Sequence, residues 1–173
     1  MFLSSSAYAQ NTEHNGLGGF INSQNLISDV SAVGIHSTAF FWANASWNAG
    51  SDVNIQLNGN VNNRDLSYIS ADYTATGWDG IAFHAPCFGG ACNFYTACAA
   101  ILNTFYSAAY PENQLIATAT HEIGHCLGAD HIWDTSEVMN NTPGSSFAAH
   151  NCLLGDGNCG VTPLAAAFIN TLY

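Results

Sequence analysis

The chain has 173 residues, and its one cationic side chain, Arg64, stands against twelve acids for a formal net charge of −11. That length fits one domain able to bury roughly 70% of its unfolded surface. The charge excludes a nucleic-acid footprint and disfavours an anionic membrane surface, and no stretch approaches the ~18 apolar residues of a membrane span.

In chain order, residues 1–9 read as the remnant of a signal peptide. Ala7-Tyr8-Ala9 before Gln10 resembles an A-x-A cleavage site, although the cationic n-region is missing and the apolar run is very short. Residues 10–173 then form a single domain, opening with a polar, glycine-containing arm over 10–25. A helix is predicted over 27–46, with Ile27, Val30, Val33, Phe40 and Phe41 as its apolar face. Val53, Ile55 and Leu57 alternate with polar residues as a half-buried strand does. After a turn-rich connection over 58–64, strands are predicted at 67–74, 80–85 and 100–106. A helix follows over 111–127, started by Pro111 and Glu112, which suit a first helical turn. Residues 132–160 are irregular, and Pro163 to Leu172 reads as a short closing helix. No internal repeat is present.

Six cysteines (Cys87, Cys92, Cys98, Cys126, Cys152, Cys159) fit disulfides and an oxidising compartment. Fifteen pairings are open. Short loops favour Cys87–Cys92 and Cys152–Cys159, leaving Cys98–Cys126; a second zinc site is the alternative, but no paired C-x-x-C supports it. Asn44 and Asn140 head glycosylation sequons, and the one at Asn140 is read as unused.

The helix over 111–127 carries the chemistry. Its end reads His121-Glu122-Ile123-Gly124-His125-Cys126-Leu127-Gly128-Ala129-Asp130-His131. At about 100° per residue, His125 falls roughly 40° from His121 and about 6 Å further along the axis, so both imidazoles reach one ion. His131 would point away if the helix continued, and Gly128 is the residue that tolerates the turn needed to bring it back. Three histidines leave the fourth position of a catalytic zinc for water, whose pKa the ion lowers toward roughly 7. Glu122, on the flank of the stripe, is placed to take that water's proton as general base and pass it to the leaving nitrogen. Any one of these residues alone is more often a satisfied core or surface side chain; the constellation is not. Cys126 lies some 100–140° off the histidine stripe and faces away. Leu115, Ile116, Ala119, Ile123, Cys126 and Leu127 form the opposite, apolar stripe.

His121, Glu122, His125, Gly128 and His131 match position by position the HExxHxxGxxH motif of the metzincin zinc endopeptidases, which the chain resembles. Ser136-Glu137-Val138-Met139-Asn140 resembles their methionine turn, with Met139 as its methionine. Gln114 to Thr120 before the motif looks most like the matrixin branch and matrixin-like secreted bacterial proteases. Phe40, Phe41, Ala43 and Trp47 are loosely similar to the end of the matrixin first helix. There are departures. Ile132 stands where matrixins usually have serine, and Asn140 and Asn141 intervene before Pro143. No tyrosine follows Met139, so the extra ligand of astacins and serralysins is not apparent. Snapalysins use aspartate as third ligand, but Asp130 is one residue short of that register.

The resemblance implies an α/β (α+β) metzincin-type fold: a mixed twisted sheet with an N-terminal helix, an active-site helix and a C-terminal helix. It implies Zn²⁺ as cofactor, a protein or peptide substrate, a monomer, and a secreted, extracellular location. Thr142 to Phe147 would line the primary specificity pocket, and an edge strand near Gly80 to Phe83 would pair with extended substrate. His84 is either a substrate contact or an ordinary edge-strand histidine. Two other readings remain: a secreted non-catalytic zinc-containing binding module, and a zinc hydrolase of a non-peptide amide. Retention of Glu122 argues against the first, and the acidic balance weighs slightly against the second.

Overall fold

The computed structural model describes residues 19–20, 24–57, 64–85, 94–131, 137–140 and 160–173. The elements are β1 (Gly19–Phe20), β2 (Asn25–Val30), α1 (Ile35–Gly50), β3 (Asn54–Leu57), β4 (Leu66–Ala71), β5 (Gly80–His84), β6 (Phe94–Tyr95), β7 (Cys98–Asn103), α2 (Thr104–Ser107), α3 (Glu112–Cys126) and α4 (Pro163–Asn170). Five strands form one sheet in the order β3-β2-β4-β7-β5. The first four are parallel and β5 runs antiparallel to β7, so the sheet is mixed. β1 and β6 make a separate two-stranded parallel pair.

The helix predicted over 27–46 is instead a strand followed by a helix. Ile27, Val30 and Val33 have helical spacing, but the first two lie in β2 between β3 and β4, and Val33 is 71% exposed. Gly34, at φ 59°, separates the two elements and lets α1 begin at Ile35. β4 stops at Ala71, before the loop in which Thr74 takes φ 62°. β7 stops at Asn103 because that side chain accepts from the Phe105 N–H and caps α2. The predicted strand over 80–85 and the helices over 111–127 and 163–172 are present with ends shifted by one or two residues.

α1 packs over β3 and β4, α3 packs over β5 and β7, and the two helices pack against each other. Phe40 of α1 stacks on Tyr68 of β4, with ring centroids 4.9 Å apart. Trp47, fully buried, donates from its indole nitrogen to the Thr120 carbonyl at 2.9 Å, fixing α1 against the middle of α3. The apolar stripe read for α3 is buried throughout, so the helix is anchored on that side. Asn44 is also buried, bonded to the Ile55 carbonyl and the Tyr68 hydroxyl, which leaves no room for a glycan. No helix among the described residues is long and apolar enough to cross a membrane.

Cys98 and Cys126 form a disulfide that ties the start of β7 to the last residue of α3. The expected Cys87–Cys92 and Cys152–Cys159 pairs lie outside the described residues, as do the signal-peptide remnant and Thr142 to Phe147. The bridge closes a loop across a sequence separation of 28. Loop closure of that size stabilises by about 3–4 kcal/mol in the chain-entropy account. Cys98→Ala/Cys126→Ala should therefore lower the free energy of urea unfolding by about that amount. An unchanged midpoint would remove the bridge from the account of stability.

Candidate metal centre

The C-terminal end of α3 decides where the histidines point. Gly128 takes φ 104°, its N–H donates to the His125 carbonyl, and the Ala129 N–H donates to the Gly124 carbonyl, each at 2.9 Å. This pairing is a Schellman turn, which a left-handed glycine closes without a Cβ penalty. The reversal carries His131 back toward the helix. The Nε2 atoms of His121, His125 and His131 then lie 3.0–3.2 Å from one another.

The 3.0 Å approach between His121 and His125 is not a hydrogen bond between the rings. His121 Nδ1 donates to the Val138 carbonyl and His125 Nδ1 donates to the Ala129 carbonyl, both at 2.8 Å. A neutral imidazole has one N–H, so both Nε2 atoms present lone pairs to the same point. Lone pairs that face each other repel unless a cation lies between them. Three nitrogens bound at about 2.0–2.1 Å to one tetrahedral ion would be about 3.3 Å apart, close to the spacing here. The donor set is three imidazoles, with Cys126 held in its disulfide and Asp130 exposed. That chemistry suits zinc.

Electrostatics agree with the geometry. Burial, with the neighbouring imidazoles second, holds His121 well below the ordinary histidine range. His125 is lowered to about 3, again mainly by burial, and burial also lowers His131. All three are thus neutral and available as ligands at neutral pH. Glu122 is 3% exposed, and burial first, then the Asp79 charge, push its carboxyl well above the usual range. Its Oε2 is buried without a hydrogen-bond partner among the described residues. An adjacent divalent cation would oppose the rise at Glu122, because its charge favours carboxylate over carboxylic acid.

The turn that contains Met139 lies beneath the helix. Residues 137–140 form a turn closed by Asn140 N–H to the Glu137 carbonyl at 3.0 Å. Met139 is buried, and its Sδ occupies the space beside Gly124 where a Cβ would otherwise be. The buried Glu137 carboxylate accepts from the Thr162 hydroxyl, so the turn is tied to the start of α4. Val138, between them, supplies the carbonyl that orients His121. His84 Nε2 donates to the His125 carbonyl at 3.0 Å. It braces the end of α3 from the edge strand.

Val138 and Gly124 of this centre, and Gly80 and Asn103 of the strands packed beside α3, were not singled out as ligand or catalytic residues in the sequence. Gly124 and Gly80 each stand where a glycine weakens its element, which is a signal of close packing. Asn103 stands between a strand and a helix, where a capping side chain is preferred.

The family model described as matrixin matches residues 4–164 of the chain. No curated protein matches.

The packing of Gly124 generates a test with a definite sign. Gly→Ala inside a helix ordinarily stabilises by about 0.5–1 kcal/mol. Here the new Cβ would overlap Met139 Sδ and come within 2.9 Å of Trp47 Cζ2. Gly124→Ala should instead destabilise by about 1–3 kcal/mol in urea unfolding, and adding Met139→Ala should recover part of the loss. A stabilised Gly124→Ala would show that the contact between the turn and the helix is not close.

Proposed function

The chain belongs to the matrixin family of zinc metalloendopeptidases, and from that premise we propose that it is a secreted endopeptidase in which His121, His125 and His131 hold zinc and Glu122 is the general base. Convergence of three imidazole nitrogens beside a buried carboxyl whose Oε2 has no partner among the described residues is the observation that carries this reading. When bound, zinc supplies a Lewis-acid charge that polarises the scissile carbonyl and acidifies water. The two Nδ1–carbonyl bonds keep His121 and His125 from rotating, so their Nε2 atoms stay aimed. Glu122 takes the proton of the attacking water and delivers it to the leaving amine nitrogen.

β5 has β7 as its neighbour and no strand on the other side among the described residues. Its free edge supports the reading that an extended peptide adds to the sheet beside Glu122. A disulfide between Cys98 and Cys126 supports an oxidising, extracellular setting. Met139, in this reading, is the methionine of the family's turn.

The test is cleavage of an unfolded protein such as casein by the zinc-loaded enzyme, with and without a chelator, alongside Glu122→Gln. Chelation should abolish cleavage and added zinc should restore it. Glu122→Gln should keep one zinc per chain and cleave about 10²–10⁴-fold more slowly, the usual contribution of general acid–base catalysis. A fully active Glu122→Gln enzyme would overturn the assignment of the base.

A further inference from the structure

The carboxyl end of Glu122 lies against the edge strand at a residue with no side chain. A Cβ built on Gly80 would stand 2.5 Å from Glu122 Oε1, 2.8 Å from Cγ and 2.9 Å from Cδ. All three distances are below any ordinary carbon contact, so the two cannot share the space. Gly80 does not need to be glycine for its backbone, since its φ is not in the left-handed region. A glycine inside a strand otherwise weakens it and marks a close approach. The approach here is that of Glu122.

The strand cannot retreat from this contact. Gly80 pairs with Leu102 in the β5–β7 ladder, and the Asn103 N–H donates to the Asp79 carbonyl at 2.8 Å. The Tyr110 hydroxyl donates to Asp79 Oδ2 at 3.0 Å. The loop before Asp79 is itself held by one buried amide. Asn103 Nδ2 donates to the carbonyls of Thr74 and Trp78 and to the Thr76 hydroxyl, while its Oδ1 accepts from Tyr73 and Phe105. Backbone on one side of the contact is therefore pinned, and the mobile partner is the end of a glutamate side chain.

We propose that Gly80 is a positioning residue for the reaction: the space left by its missing side chain sets where the Glu122 carboxyl stands. This rests on the reading of Glu122 as general base. A methyl group at 80 would displace that carboxyl while leaving the three imidazoles in place. Reacting groups misplaced by about 1 Å lose on the order of 10²-fold in rate.

The experiment is a double-mutant cycle of Gly80→Ala and Glu122→Ala on zinc-loaded protein, read by zinc content, kcat, KM and unfolding midpoint. Gly80→Ala should keep one zinc per chain and a KM within about twofold, while kcat falls about 10–100-fold. In the Glu122→Ala background, where the space is open, Gly80→Ala should change neither the residual kcat nor the midpoint downward. An unchanged kcat in Gly80→Ala, or an equal further loss in the Glu122→Ala background, would overturn the proposal. Should Gly80→Ala fail to fold, folding of the double variant would uphold the contact, and failure of both would overturn it. If Glu122→Ala alone remained fully active, the reading of the base would fail. The stability coupling between positions 80 and 122 would still report whether Gly80 sets the place of that side chain.

Discussion

Three neutral imidazoles aimed at one point are the constraint on which the rest of this structure depends. The lone pairs of His121 and His125 face each other at 3.0 Å, with His131 Nε2 3.2 Å from both, and the protein must hold the facing pair against repulsion. It does so from behind, by occupying the Nδ1–H of His121 with the Val138 carbonyl and that of His125 with the Ala129 carbonyl. Each bond fixes a tautomer and a ring plane together. Each also requires a piece of chain to pass close behind the helix, and those pieces are the turn at 137–140 and the reversal at Gly128.

Close passage is made affordable in space by glycine. At Gly124 the helix has no side chain where Met139 Sδ and the Trp47 ring press in. At Gly160 a Cβ would meet Ser46 Oγ at 2.8 Å and Thr120 Cγ2 at 2.9 Å, so the start of the C-terminal segment also lies hard against α1 and α3. Trp47, the Cys98–Cys126 bridge and the Glu137–Thr162 contact then hold α1, the sheet and α4 around the same helix. Interiors packed at this density transmit small changes, because voids to absorb them are few.

How much of this was legible in the sequence follows from how local each signal is. His121, His125, Gly128 and His131 lie within eleven residues, so helical periodicity and one glycine break place them almost completely. Pro111, Glu112 and the apolar stripe marked α3 for the same reason. The edge position of β5 could be expected from the family resemblance and not from its five residues alone. β2 was misread because Ile27, Val30 and Val33 satisfy a helical spacing, while the parallel neighbours that make it a strand are more than twenty residues away. Val138 and Asn103 act through a backbone carbonyl and a buried amide with distant partners, and periodicity carries no record of either.

The central claim is that zinc is held by three imidazoles and by no sulfur. Zinc X-ray absorption on the purified, zinc-loaded protein reads this directly. The account predicts one zinc per chain with three imidazole nitrogens at about 2.0–2.1 Å and no sulfur shell. A sulfur neighbour at about 2.3 Å, or fewer than three imidazoles, would contradict it.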